Sequence, residues 1–406
     1  MNAIRASILA LAAVLAIAGT TTAAGQLLPP VARGVLRPLG TLGETIRDTA
    51  GQLTETLAAA RLDRFARLAR EHPAEIALDP LGNPSRAGEL IVNDPPPAFV
   101  AAAMSRGFRL IDQGMLLGVG YARLATPAGV GLTQAIKQLR KLGAADVTAD
   151  QLHFESGAAS VAPGGIDSGD GPAVGVIDGG VAGPGVMQRG FASGAPRPSD
   201  HGAAVASLIA GGGRVRGAAP GARLYVADVY GVDPAGGSAS AIAKALAWLV
   251  EARVPVVSIS LVGPPNPLLA RVIAAAQARG CIIVAAVGND GPASPPSYPA
   301  SYPGVVAVTA VDGRDRVLIE AGRATHLDYA APGADMLAGN AIGGAAAVRG
   351  TSFAAPLVAG TIARGYRSQA LDKRRDALAA VDAGARRLGP RYGRGLVCAD
   401  CRTPVR

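Results

Sequence analysis

From Ala173 onward, short unbroken apolar runs alternate with helix-like stretches, and this rhythm constrains the fold more than any other feature. "AVGVID", "RLYVADVY", "PVVSISLV", "CIIVAAVG" and "VVAVTAVD" are rich in Val and Ile, with little polar alternation. A strand with one wet face alternates polar and apolar residues; a continuous apolar run belongs to a strand covered on both faces. "GSASAIAKALAWLVEAR" and "PLLARVIAAAQARG" lie between these runs and read as helices. Repeated strand–helix units predict an α/β domain over 173–406, a mostly parallel sheet with helices on both faces. Functional groups in such sheets gather beyond the carboxyl ends of the strands.

The region before it has another rhythm. "GELIVN" is strand-like, "PPPAFVAAAMSRG" reads as a helix opened by Pro and closed by Gly107, and "FRLIDQ" and "LLGVGYARLA" read as strands. "GLTQAIKQLRKLG" is an amphipathic helix ending at Gly143, and "DVTADQLHF" suits a last strand. The order β-α-β-β-α-β predicts a small ferredoxin-like α+β domain over 86–155. The small, polar, glycine-rich stretch 156–172, "SGAASVAPGGIDSGDGP", reads as a linker open to proteolysis. An N-terminal extension over 26–85 is partly helical, with Leu53, Leu57, Leu62, Phe65 and Leu68 near helical spacing.

Residues 1–25 carry Arg5, an apolar run from Ile8 to Ala18, and then small residues. This is the pattern of a secretory signal peptide, so the chain is expected to be exported, to a periplasm or outside the cell. The run is short for a membrane span, and no stable span is expected after its removal. The net charge is +9, carried almost wholly by scattered Arg, while aromatic residues make up 4%. A nucleic-acid surface needs a basic stripe with stacking aromatics, so no nucleic-acid partner is expected. Cys281 lies in an apolar run and reads as a buried free thiol. Cys398 and Cys401 form "CADC", and an exported chain allows a local disulfide there. A zinc site would need two further ligands that no nearby Cys or His supplies.

Four short fragments hold the candidate chemistry. Asp178 ends the strand "VGVID". His201 opens "HGAAVASLIAG", with Gly202 leaving room beside the ring; Asn289 follows a strand in "VAAVGNDGP". Ser352 sits in "RGTSFAAPLVAG", just before a helix-like run. Each alone has a plain structural explanation: a turn acid, a helix-start His, an Asn-Asp-Gly turn, a serine N-cap. Together they place Asp, His, Asn and Ser at strand ends and helix starts, in that order.

"VGVIDGGV", "HGAAVASLIAG", "AAVGNDG" and "GTSFAAP" resemble the four signature segments of the subtilisin-like serine proteases, the subtilases. "VSISLVGP" resembles that family's substrate-binding strand and "RYGRGLVCA" the close of its catalytic domain. The resemblance covers about 173–400. Residues 86–155 match the element order of the family's inhibitory propeptide. Ala203 and Ala204 stand where the family usually has Thr and His, and Val262 where it has Gly.

The resemblance implies a subtilisin-like α/β fold and an exported serine endopeptidase made as a self-inhibited precursor. Ser352 would be the nucleophile and His201 the base that activates it. Asp178 would set the imidazole tautomer. The Asn289 side chain and the Ser352 N–H would receive the oxyanion, and losing a donor such as Asn289 costs ~3–4 kcal/mol in the barrier. Ser260, Leu261, Val262 and Gly263 would pair with an extended polypeptide substrate as an added strand. The propeptide would be the intramolecular inhibitor. No cofactor or catalytic metal is required. Many subtilases use structural calcium, but no loop here shows a clear ligand pattern. The substitutions at Ala203 and Ala204 leave a second reading, a catalytically weak or inactive subtilase-fold binding module. A dinucleotide-binding fold is disfavoured because "DGGVAGPGVMQ" lacks the G-x-G-x-x-G spacing.

Overall fold

A computed structural model describes residues 42–144, 146–159, 166, 168–339 and 344–405, with the backbone alone over 42–54 and 158–159. The signal peptide expected over 1–25, most of the extension before α1 and part of the expected linker lie outside the described residues. The chain forms two compact units, Met1–Asp48 and Thr49–Arg406, and every strand among the described residues lies in the second.

The long helix α1 (Leu42–Glu71) leads into a short strand, β1 (Ile76–Leu78). Then come β2 (Pro84–Asn93), α2 (Phe99–Met104), β3 (Arg109–Leu116), β4 (Val119–Ala125), α3 (Leu132–Lys141) and β5 (Val147–Gln151). β1 pairs antiparallel with the start of β2, and the main sheet runs β5–β2–β4–β3, all antiparallel. The two helices cover one face of the sheet. In α3 the buried residues are Leu132, Ala135, Ile136 and Leu139, the spacing of a single helical stripe. They pack with Leu90, Val92 and Leu124.

Two short strands follow, β6 (Phe154–Glu155) and β7 (Ala158–Ala159), the second of them inside the stretch that reads as a linker. The larger domain then runs β8 (Ala173–Asp178), β9 (Met187–Gly190), α4 (Asp200–Ala210), β10 (Arg223–Asp228), α5 (Ala239–Glu251), β11 (Val256–Ile259), β12 (Leu261–Val262), α6 (Pro267–Ala278), β13 (Ile282–Ala286) and β14 (Val306–Val311). It closes with β15 (Tyr329–Pro332), β16 (Met336–Gly339), β17 (Ala345–Arg349), α7 (Ala355–Gly365) and α8 (Leu371–Gly384). Seven strands form one parallel sheet in the order β15–β14–β13–β11–β8–β10–β9.

The unbroken apolar runs now have their cause. Every residue of β8 is buried: Val174 and Val176 pack with α4 and α7, while Ile177 packs with α5 and α6 on the opposite face. The edge strands β9 and β15 carry no Val/Ile run and are not apparent in the sequence pattern. Ser199, Ser238 and Asn266 cap α4, α5 and α6 by accepting backbone N–H bonds.

The small domain turns its second sheet face onto the large one. Ile91 and Tyr121 join the apolar cluster of α5 and α6. Asp150, fully buried, accepts the Ser240 N–H at 2.9 Å and the Ser240 hydroxyl at 2.5 Å, at the start of α5. Arg86 pairs with Asp233 at 2.8 Å and Lys244 with Asp112 at 2.9 Å. Cys281 is a buried free thiol, and Cys398 and Cys401 form a disulfide. Among the described residues no helix is long and apolar enough to cross a membrane.

Candidate active site

Asp178 is the last residue of β8 and His201 lies in the first turn of α4. Parallel strands and short connections bring them together. The His201 Nδ1 is 2.8 Å and 3.0 Å from the two Asp178 carboxylate oxygens. Asp178 also accepts the Gly179 N–H at 2.8 Å, which fixes its carboxylate. Gly202 is expected in the sequence to leave room beside the imidazole; instead it packs against the strand. A Cβ there would stand 2.3 Å from the Gly179 carbonyl oxygen, so glycine is needed for α4 to approach β8. Ala203 and Ala204 are fully buried on α4, and the ring is held by Asp178 on one side and the Phe353 ring on another, 5.4 Å between centroids.

Ser352 does not cap the following helix. It lies in a 3-10 turn, Thr351–Phe353, and the N-cap position of α7 is Ala354. Its hydroxyl is engaged elsewhere. Its oxygen lies 3.0 Å from the Ser260 carbonyl oxygen and shares a 2.5 Å contact with the Ser156 hydroxyl. It also donates to the Ser156 carbonyl, and accepts the Ser156 N–H at 3.1 Å. The Ser352 N–H is paired as well, donating to the same Ser156 carbonyl at 3.3 Å.

The chain on either side of Ser156 is laid out as an extended strand. Phe154 and Glu155 (β6) pair antiparallel with Val262 and Leu261 (β12). On the other side, Ala158 and Ala159 (β7) pair antiparallel with Arg349 and Val348 of β17. Leu152 bridges Ser238 opposite, and the His153 N–H donates to the Gly237 carbonyl at 2.8 Å. Of the four residues expected to bind substrate, Leu261 and Val262 pair with this segment, and the Ser260 carbonyl touches the serine. Gly263 pairs instead with Tyr298 and lies beneath the His153 ring, where a Cβ would come within 2.6 Å of the imidazole.

Asn289 follows β13. Its Oδ1 accepts the Thr351 N–H at 3.0 Å, and Thr351 Oγ1 accepts the Gly288 N–H at 3.0 Å. These bonds lock the amide and leave Nδ2 buried without a partner among the described residues. Among the described residues His201 Nε2 is likewise buried and without a partner. Two buried polar groups among the candidate residues thus stand unused.

One oxygen of Glu155, one of Asp178 and a ring nitrogen of His201 lie within 4.8 Å of one another. Burial works against a charged imidazole, but the Asp178 and Glu155 carboxylates outweigh it and push His201 up to about 9. Glu155 as a residue stays exposed, yet its carboxyl end loses water and faces Asp178, Asp228 and Asp200; against the pull of His201 it is pushed up to about 7. Among the described residues this trio and Cys398–Asp400–Cys401 cluster like metal ligands. A hydrogen bond already joins His201 and Asp178 of the first, and a disulfide holds both sulfurs of the second.

The sequence pattern marks Asp178, His201, Asn289, Ser352 and 260–263, but not Ser156, Glu155 or Thr351. Its one pointer is position, since Ser156 directly follows the last strand-like run of the small domain.

A model of the subtilase family matches residues 169–370. Subtilisin BL of Lederbergia lenta is 37% identical over 207 residues, 48% of this chain and 76% of that protein. Subtilisin E of Bacillus subtilis is 35% identical over 207 residues, 47% of this chain and 54% of that protein. The crystal structure of fervidolysin from Fervidobacterium pennivorans, described as a keratinolytic enzyme related to subtilisin, has the same fold. It aligns with a TM-score of 0.64 and 19% identity, covering 78% of this chain and 61% of that one. The chain belongs to the subtilase family of serine endopeptidases.

Proposed function

We propose that the chain is the self-inhibited precursor of an exported endopeptidase, with Asp178, His201 and Ser352 as its triad and the Ser156–Gly157 bond as its first substrate. The observation that carries this reading is the Ser156 carbonyl, which rests on both the N–H and the hydroxyl of Ser352. The flanking pairs with β12 and β17 hold the chain as a bound peptide would be held. The N-terminal apolar run supports export.

The reaction needs side chains and water only. Ser352 Oγ adds to the Ser156 carbonyl carbon while His201 Nε2 takes its proton. The Ser352 N–H and Asn289 Nδ2 receive the oxyanion. His201 then passes the proton to the Gly157 nitrogen as the Ser156–Gly157 bond breaks, and water releases the acyl group from Ser352. Asp178 holds the ring so that Nε2 faces the reaction. Residues 86–156 then remain as the docked inhibitor until they dissociate. Polypeptides with small residues at the cut enter along Leu261–Val262 in the same register.

Labelling with a fluorophosphonate tests the reading. Processed protein should take up one label, on Ser352, and cleave casein; Ser352→Ala should do neither. Folded, processed protein that takes no label would favour the inactive binding module.

A further inference from the structure

We propose that Asp290 sets substrate choice by holding an arginine or lysine at the third residue on the amino side of the cut, the place Phe154 fills in the precursor. The proposal rests on the endopeptidase reading and goes beyond it.

Phe154, Val262 and Asp290 line one groove of about 330 Å³ beside the bound segment, with Pro295 and Pro296 on its wall. Helix α1 lies over this groove. Phe65 stacks on Phe154, 5.7 Å between centroids. The guanidinium groups of Arg61 and Arg64 sit 4.6 Å and 5.4 Å from the Phe65 ring centre and reach Asp290 at 3.5 Å and 3.2 Å. Asp290 directly follows Asn289, so its position is tied to the catalytic loop. Among the described residues its carboxylate has no other cationic partner.

All the groups that neutralise Asp290 therefore come from the part of the chain upstream of Ser156. Once the Ser156–Gly157 bond is cut and that part leaves, the wall that α1 supplied goes with it, and Asp290 remains beside Val262, Pro295 and Pro296 without its two arginine partners. A carboxylate in that setting favours a cation and penalises an anion. The gap between the Phe154 position and Asp290 is spanned in the precursor by one phenyl ring and one guanidinium. A long cationic side chain starting from the Phe154 position has the shape to cross it, with its stem on the apolar floor and its charge at Asp290. The precursor's own arginines thus foreshadow the substrate's.

The test lets the full-length protein process and then offers the active form three fluorogenic peptides. They differ only at the third residue before the cut, which is Arg, Leu or Glu. Wild type should prefer Arg over Glu by about tenfold in kcat/KM. That ratio should fall as salt rises, approach one in Asp290→Asn and invert in Asp290→Lys. Fluorophosphonate titration of each variant counts competent sites, so a folding defect does not imitate the effect. A wild-type enzyme that cleaves without preferring Arg, or an Arg/Glu ratio that survives Asp290→Asn, overturns the proposal. Absence of both cleavage and label overturns the endopeptidase reading beneath it.

Discussion

The backbone carbonyl of Ser156 accepts from both the N–H and the hydroxyl of Ser352, 196 residues further along the chain. On our proposal a nucleophile and the bond it first attacks are thus held in one molecule, and the strands on both sides of Ser156 keep it there. The same contact explains why His201 Nε2 and Asn289 Nδ2 stand unpaired: on our proposal their partners appear as the serine loses its proton and the oxyanion forms.

Gly157 is the residue on the far side of the proposed cut. Its φ is +156°, and a Cβ would stand 2.5 Å from the Phe353 ring. Gly157→Ala should slow conversion of the precursor by about tenfold or more, since strained backbone of this kind costs of order 1–3 kcal/mol. A gel time course reads this directly, and an unchanged rate would mean that the segment is not held in this conformation when it reacts.

On our proposal self-cleavage needs a neutral His201, and the carboxylates of Asp178 and, after it, Glu155 keep the proton on. His201 is raised to about 9, so the precursor's rate should climb with pH through that region. Glu155→Gln removes one of the two carboxylates responsible and should shift the rising limb to lower pH. Processing at neutral pH should then quicken by roughly threefold to tenfold. The difference should close in acid, because Glu155, raised to about 7, is itself protonated there. Identical pH limbs in the two proteins would remove Glu155 from the account.

His153 makes the docked segment sensitive to acid in the opposite sense. It is fully buried, and among the described residues neither ring nitrogen finds a well-aligned hydrogen-bond partner. Burial pushes it down to about 4, against the pull of the Gln151, Gly237 and Pro264 carbonyls. A histidine lowered on docking contributes fully above its free value near 6.5, and that contribution drains away as pH falls toward the docked value. Glu155, raised to about 7 on the same segment, acts in the opposite sense, so the His153 contribution is read as a difference: relative to His153→Phe, docking of the wild type in the cut complex should weaken by up to about 3 kcal/mol across that window. Release of both proteins measured by size exclusion at pH 7 and pH 4.5 checks it, and an equal pH response in the two would remove His153 from the account.

Asp150 is fully buried and serves the first turn of α5 through Ser240. Asp150→Ala leaves those donors unsatisfied, at a cost of about 1–3 kcal/mol. In the non-processing Ser352→Ala background the denaturation midpoint should fall accordingly, with Asp150→Asn retaining part of the loss. No change in midpoint would show that the two domains do not rely on this contact.

Much of this architecture is legible in the sequence because its cause is local. Runs such as "AVGVID" must be covered on both faces, and the stripe Leu132, Ala135, Ile136, Leu139 has one way to be buried. Asp178, His201, Asn289 and Ser352 can be marked because each stands at a strand end or helix start. What escapes is set by distant partners. β9 and β15 are strands because neighbours supply their hydrogen bonds, not because their residues prefer it. Ser352 reads locally as a helix cap, but Ser156 and Ser260 claim its hydroxyl. "ESGAA" carries the polarity of a linker, yet β12 and β17 on either side give it strand partners that no local pattern announces.

The most direct test of the central claim follows purified full-length protein, incubated alone, by intact mass and N-terminal sequencing, beside Ser352→Ala. The account predicts that wild type gives a new amino terminus at Gly157 while Ser352→Ala stays uncut. Cleavage of Ser352→Ala at the wild-type rate, or a wild-type first cut elsewhere with Ser156–Gly157 intact, would contradict it.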